Sequence, residues 1–149
     1  MSGLPSTTTG SFLLPLAGKA RVEDAMHPGV VTCTPDTPLR DVARIMATRH
    51  IHAVVMAHPV ERDVAMTWSV VTALHLVAGY RERGEQLCAA DVAASEPVRV
   101  STADKLDRAA QLMVEYGVDH LIVADAHDGH PVGVLSTLDV AGVLAWGEG

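Results

Sequence analysis

The sequence predicts an α/β fold of two β-α-β-β-α units packed as a pseudo-two-fold pair. Three observations carry this expectation. First, residues 22–76 and 89–141 repeat one apolar pattern: position 31 aligns with 98, 39 with 106, 46 with 113 and 57 with 124. Identities are few (Asp24/Asp91, Val31/Val98, Leu39/Leu106, Ala43/Ala110, Met46/Met113 and Ala57/Ala124), but a repeat constrains the whole chain at once. Second, short β-type runs alternate with stretches of helical period. Third, neither unit can bury both faces of a three-stranded sheet alone, so the two should pack on each other. The expected organisation is a flexible tail over residues 1–20, a first repeat over 21–84 and a second over 85–147.

In the first repeat, Val30–Cys33 reads as a strand. Thr37 suits a helix cap and Pro38 the first helical position. Leu39, Val42, Ala43, Ile45 and Met46 then form an apolar helical face. His52–Ala57 is a second strand, Pro59–Asp63 a polar turn and Val64–Val71 a third strand. Thr72 opens a helix that fades around Gly79–Gly84. The second repeat has the same order. Val98–Val100 is a strand, and Leu106, Ala109, Ala110, Leu112 and Met113 line one helix face. Gly117 ends that helix, as glycine does just past a helix terminus. His120–Ala124 is a buried-type strand, Asp128-Gly129 a hairpin turn, Val132–Leu135 the return strand and Thr137–Trp146 the closing helix.

Composition narrows the function. The chain is 48% apolar but only 3% aromatic, so Val, Ala, Leu, Ile and Met must build the core. Few rings remain for stacking on single-stranded nucleic acid. A net charge of −7 without a basic run argues against nucleic-acid partners and anionic membranes. No apolar run reaches the roughly 18–20 residues of a membrane span. Ser11–Leu16, interrupted by Pro15 and not preceded by basic residues, is a poor signal peptide. Cys33 and Cys88 occupy non-equivalent positions of the repeat, which disfavours a disulfide framework and fits a reducing cytoplasm.

The most chemical stretch is Gly133-Val-Leu-Ser136-Thr-Leu-Asp139-Val. Ser136 and Asp139 lie three apart at a strand-to-helix junction, where free N–H groups favour an anion. A serine hydroxyl can donate to phosphate, and a carboxylate can accept both hydroxyls of a ribose. The same two residues can instead cap the last helix, and the two roles are compatible. Aligning the third strands places Trp68 at the Gly133 position, Val71 at Ser136 and Leu74 at Asp139. The first copy is then expected to lack both side chains, with Trp68 either packing in the core or filling the cleft.

The stretch just quoted matches a G-h-h-[ST]-x-x-[DN]-h signature. With the lead-ins Val22-Glu-Asp-Ala-Met26 and Ala89-Ala-Asp-Val-Ala93, and the Val31–Leu39 and Val98–Leu106 segments, residues 22–146 resemble a tandem pair of CBS domains, a Bateman module. The resemblance implies sheet-to-sheet packing, ligand clefts between the halves and a regulatory rather than catalytic role. It implies a regulatory adenosine-containing ligand (AMP, ADP, ATP, S-adenosylmethionine or NAD), with no required cofactor. It places a purine against Pro97, Val98, Val118 and Asp119, with Ser136 and Asp139 completing that cleft. Asp119 is expected to act through its backbone, since a carboxylate there repels phosphate, and His120 to point to the other face. A homodimer through apolar helical faces around Leu74, Leu76, Val77 and Val140, Val143, Leu144, and a regulated protein partner, are also implied. The alternative is a scaffold indifferent to nucleotides.

Other chemistry finds little support. His50/His52 and His127/His130 have chelate-like spacing, but zinc needs three or four fixed ligands. There is no G-x-S-x-G elbow, Walker A or G-x-G-x-x-G sequence, so no enzyme is expected.

Overall fold

A computed structural model describes residues 18–59, 66–84, 86–93 and 98–147. Short α1 (Val22–Ala25) and β1 (His27–Pro28) form the lead-in. The first half continues with β2 (Thr32–Cys33), α2 (Leu39–Arg49), β3 (Ala53–Pro59), β4 (Met66–Thr72) and α3 (Ala73–Arg83). The second lead-in is α4 (Ala89–Val92). It is followed by β5 (Arg99–Ser101), α5 (Leu106–Tyr116), β6 (His120–Ala124), β7 (Pro131–Ser136) and α6 (Thr137–Trp146). The β-α-β-β-α order is that of the repeat. Most of the expected turn between β3 and β4, and most of the expected tail, lie outside the described residues.

The helix boundaries have local causes. Leu39, Val42 and Met46 are the buried positions of α2, and Leu106, Ala109 and Met113 those of α5. Both helices end in a left-handed residue: Gly117 at φ 62° after α5, and His50 at φ 55° after α2. A residue with a Cβ adopts that conformation at a cost of about 1–2 kcal/mol. Pro38 is the N-cap of α2 rather than its first residue. Thr37 uses its hydroxyl to accept the Thr34 N–H at 3.0 Å, closing the preceding turn instead of the helix.

One sheet has the order β2-β3-β4 and the other β1-β7-β6-β5. β2 runs parallel to β3 and β3 antiparallel to β4; in the same way β5 runs parallel to β6 and β6 antiparallel to β7. The seam between the sheets is apolar: Val55 and Val70 from one half meet Ile122 from the other, with Trp68 and Val134 packed at the edge. Trp68 is half-buried and packs against this seam, in line with the packing role rather than the cleft-filling one.

Each lead-in packs into the opposite half. Ala20 and Val22 are fully buried in the core of Leu106, Met113, Leu121 and Leu135. Ala89 is buried in the core of Val42, Met46, Val54 and Val71. The backbone bonds repeat across the pair. Leu106 N donates to Ala20 O (2.9 Å) as Leu39 N does to Leu87 O (2.8 Å). Val22 N donates to Asp104 O as Ala89 N does to Thr37 O, both at 2.8 Å. This exchange is what makes the pair pseudo-two-fold.

One feature breaks the symmetry. β1 pairs antiparallel with β7, His27 opposite Val134 and Pro28 opposite Gly133. A Cβ on Gly133 would collide with the His27 carbonyl oxygen and press on Met26 Sδ. Glycine is needed there for close backbone approach. Among the described residues, no strand covers β4 in the same way.

Candidate functional site

The two strand-to-helix junctions carry matching caps. Ser136 is the N-cap of α6: its Oγ accepts from Asp139 N at 3.1 Å, and Asp139 Oδ2 accepts from Ser136 N at 2.8 Å. Thr72 is the N-cap of α3: its Oγ1 accepts from His75 N at 3.1 Å, and His75 Nδ1 accepts from Thr72 N at 3.2 Å. Such reciprocal capping satisfies two otherwise orphaned donors. Strand register agrees, because Ala53 faces Thr72 as His120 faces Ser136.

The first-copy alignment is thereby corrected by one residue. Thr72, not Val71, stands where Ser136 stands, and His75, not Leu74, where Asp139 stands. Ser69, not Trp68, matches Gly133: Met56 faces Ser69 as Val123 faces Gly133. The first copy retains the hydroxyl and exchanges the carboxylate for an imidazole. Sequence alignment missed this because the β3–β4 and β6–β7 turns differ in length. The available signal was Thr72 itself, an N-cap residue type at the strand end.

A cleft of about 340 Å³ opens between the halves. Val70, Thr72, Leu74 and His75 line it from the first half; Val98, Met113, Val118, Asp119 and His120 are among the residues lining it from the second. Three of the six residues expected to share a site, Val98, Val118 and Asp119, are thus together. Pro97 lies outside the described residues. Ser136 and Asp139 do not line this cleft. They are the second-repeat counterparts of Thr72 and His75, which do line it.

His120 differs from expectation. The Asp119 carbonyl accepts from Thr137 N at 3.0 Å, so its backbone acceptor is engaged by α6. Its carboxylate, 53% exposed, meets His120 Nδ1 at 2.9 Å. His120 lines the same cleft, with its ring largely buried, rather than turning to the other face. Asp139 is 5% exposed, and its second oxygen, Oδ1, lies 2.8 Å from Nδ1 of the exposed His27. A ligand hydroxyl reaching Asp139 must share or displace that contact. His27 could not be placed here from sequence, since the lead-in crosses to the other half.

The remaining ionisable groups describe structure. Burial raises the Cys33 thiol, as for an unreactive core cysteine. The backbone and thiol of Cys88 donate to Asp91 and hold its carboxyl below the usual range. Cys33 and Cys88 are both free. Among the described residues, no group of three His, Cys, Asp or Glu side chains is placed to hold a metal ion. No described helix is long and apolar enough to cross a membrane.

The apolar helical faces also need one correction. Leu74, Val77 and Tyr80 on α3, and Leu138, Leu144 and Trp146 on α6, are exposed. Val143 is instead 2% exposed and part of the core, and Leu76 and Val140 are half-buried against it and its counterpart.

Two α/β repeats that exchange their lead-ins and end their third strands in matching capped junctions define a tandem-repeat module. The family model for the CBS domain matches residues 22–63 and 89–145, and the chain belongs to that family. No curated protein sequence matches it. The CBS domain pair of protein MJ0100, solved in complex with 5′-methylthioadenosine and S-adenosyl-L-methionine, is similar at a TM-score of 0.72 and 13% identity, over 85% of this chain and 96% of that one. The hexameric CBS-CP12 protein of bloom-forming cyanobacteria is similar at 0.70 and 17%, over 81% and 69%. CBSX2, solved in complex with AMP, is similar at 0.63 and 22%, over 84% and 96%. At these identities the likeness establishes the fold.

Proposed function

We propose that this chain is a non-catalytic regulatory module that binds an adenosine-containing ligand between its repeats and passes the resulting change to a partner. The carrying observation is the cleft lined by both halves. Its volume, about 340 Å³, falls within the ~300–1,000 Å³ of small-molecule sites. Val98 and Val118 supply apolar walls for a base, with Pro97 next to Val98 in sequence. Asp119 sits at the wall with its carboxylate 2.9 Å from His120 Nδ1. By the two-fold relation we assign Ser136 and Asp139 to a mate cleft opposite Val31, Ile51 and His52, where the carboxylate accepts ribose hydroxyls once His27 moves aside.

A ligand in either cleft touches both halves, so it favours whichever arrangement of the halves it fits better. The adenosine compounds in the MJ0100 and CBSX2 structures support the ligand class. AMP, ADP, ATP, S-adenosylmethionine and NAD are the candidates. The test is thermal unfolding against that panel. A ligand at 100 times its dissociation constant adds about 2.7 kcal/mol. Asp139→Ala removes one capping contact, worth about 1 kcal/mol, and leaves a folded protein whose mate cleft has lost affinity. A flat panel on the wild type refutes the ligand reading.

A second reading, a nucleotide-independent assembly scaffold, is favoured by the exposed apolar helices. Leu74 and Leu138, 69% and 75% exposed, are counterparts in the repeat. A second copy of this chain is the partner proposed for that surface. Sedimentation should give a dimer, and Leu74→Asp with Leu138→Asp a monomer.

A further inference from the structure

We infer that the cleft between the halves selects a cationic adenosine derivative, a sulfonium nucleoside of the S-adenosylmethionine type, over a phosphorylated one, with Asp119 as the specificity-determining residue. The inference rests on the adenosine-ligand reading above and narrows it. Asp119 lines the cleft with its carboxylate half-exposed. One oxygen, Oδ1, lies 2.9 Å from His120 Nδ1, and no described residue bonds to the other. A neutral imidazole that donates from Nδ1 leaves the carboxylate its full negative charge. Among the described residues lining the cleft there is no lysine or arginine to offset it. His75, on the facing wall, accepts the Thr72 N–H through Nδ1 at 3.2 Å, which requires a lone pair and hence an uncharged ring.

The N-terminus of α3 would favour an anion at this cleft, but its donors are already engaged. Ala73 N donates to His52 O at 2.7 Å, His75 N to Thr72 Oγ1 at 3.1 Å and Thr72 N to His75 Nδ1. What remains is a helix dipole worth about half a charge at its end, set against the full charge of Asp119. A cleft with low-dielectric walls and one sign of charge focuses that potential on whatever enters it. A phosphoryl group is repelled and a sulfonium or ammonium group attracted, and neither effect requires direct contact with the carboxylate.

The test is calorimetric titration of the full chain at about pH 8, where an imidazole is ordinarily neutral, with S-adenosylmethionine, S-adenosylhomocysteine and AMP. S-adenosylhomocysteine lacks the sulfonium charge and so isolates its contribution. S-adenosylmethionine is expected to bind more tightly than either, and about tenfold or more so than AMP. Asp119→Asn should fold, because the amide oxygen still accepts from His120 and the backbone carbonyl still takes the Thr137 N–H. It is expected to lower the ratio of S-adenosylmethionine to AMP affinity by about tenfold. An S-adenosylmethionine affinity no greater than that of AMP or S-adenosylhomocysteine, or an unchanged ratio in Asp119→Asn, overturns the inference and leaves the adenosine reading standing. Absence of binding by all three overturns the inference, and the adenosine reading falls as well if ADP, ATP and NAD also fail to bind.

Discussion

Ile122→Ala tests whether the seam between the sheets holds the two halves as one unit. Ile122 is fully buried and meets Val55 and Val70 across the seam. The substitution deletes three carbons, about 2.4 kcal/mol of transfer free energy at ~0.8 kcal/mol each. The sheets are tied by backbone bonds through both lead-ins and cannot close fully on the void, so a cavity contribution adds to this. The expected loss is about 3–4 kcal/mol, within the ~2–5 range of such deletions. For a chain of this size that lowers Tm by roughly 6–16 °C. Ile122→Val should cost about 1 kcal/mol. The assay is urea unfolding followed by both fluorescence and circular dichroism. Because Val22 is buried in the second core and Ala89 in the first, both probes should report one transition. A loss below about 1 kcal/mol for Ile122→Ala, or two separated transitions with only one displaced, would refute the reasoning.

Three further outcomes follow from single residues. Gly133→Ala should destabilise by about 1–3 kcal/mol, since β1 must move off β7; an unchanged urea midpoint would show that the lead-in strand is not held there. His50→Gly should stabilise by up to about 1 kcal/mol by relieving the left-handed residue, while the matching Gly117→His should destabilise, both read from Tm. The Asp125 carboxyl is held below its usual range by the His127 and Asp128 backbone N–H groups. A depressed folded pKa gives stability that is present above the unfolded value of about 4 and is lost as pH falls through the folded value. Asp125→Asn should therefore flatten the acid limb of the stability curve, and an identical acid limb would count against this turn as a contributor.

Much of this fold is legible in the sequence because burial leaves a periodic mark. The spacing Leu39–Val42–Met46 recurs at Leu106–Ala109–Met113, and His120–Ala124 and Thr137–Trp146 appear with the bounds expected. Periodicity says which residues are buried but not against which half, so the exchange of the lead-ins was invisible. The role of Gly133 was hidden for the same reason, since the backbone it admits belongs to a strand more than a hundred residues earlier. At the site, the Ser136–Asp139 pairing was readable as a cap because it is local. The His75 cap was not, because unequal turns displaced the alignment by one residue. The assignment of walls to junctions needs the two-fold relation itself: the second copy's Val98 and Val118 face the first copy's Thr72, and no local pattern encodes that.

The same geometry limits what a ligand can do. Backbone bonds through both lead-ins prevent the halves from separating, whereas the seam of Val55, Val70 and Ile122 is apolar and non-directional. The motion left open is a small rotation or slide of one sheet on the other. Leu74 lines the cleft and is also exposed on α3, and Leu138 holds the matching place on α6. A rotation that tightens the cleft around a ligand therefore moves the residues that a partner would cover. By linkage, a partner that prefers one arrangement must strengthen ligand binding by the factor by which the ligand strengthens the partner. Measuring ligand affinity with Leu144→Asp, exposed on α6 and outside the cleft lining, would read that factor from the ligand side alone.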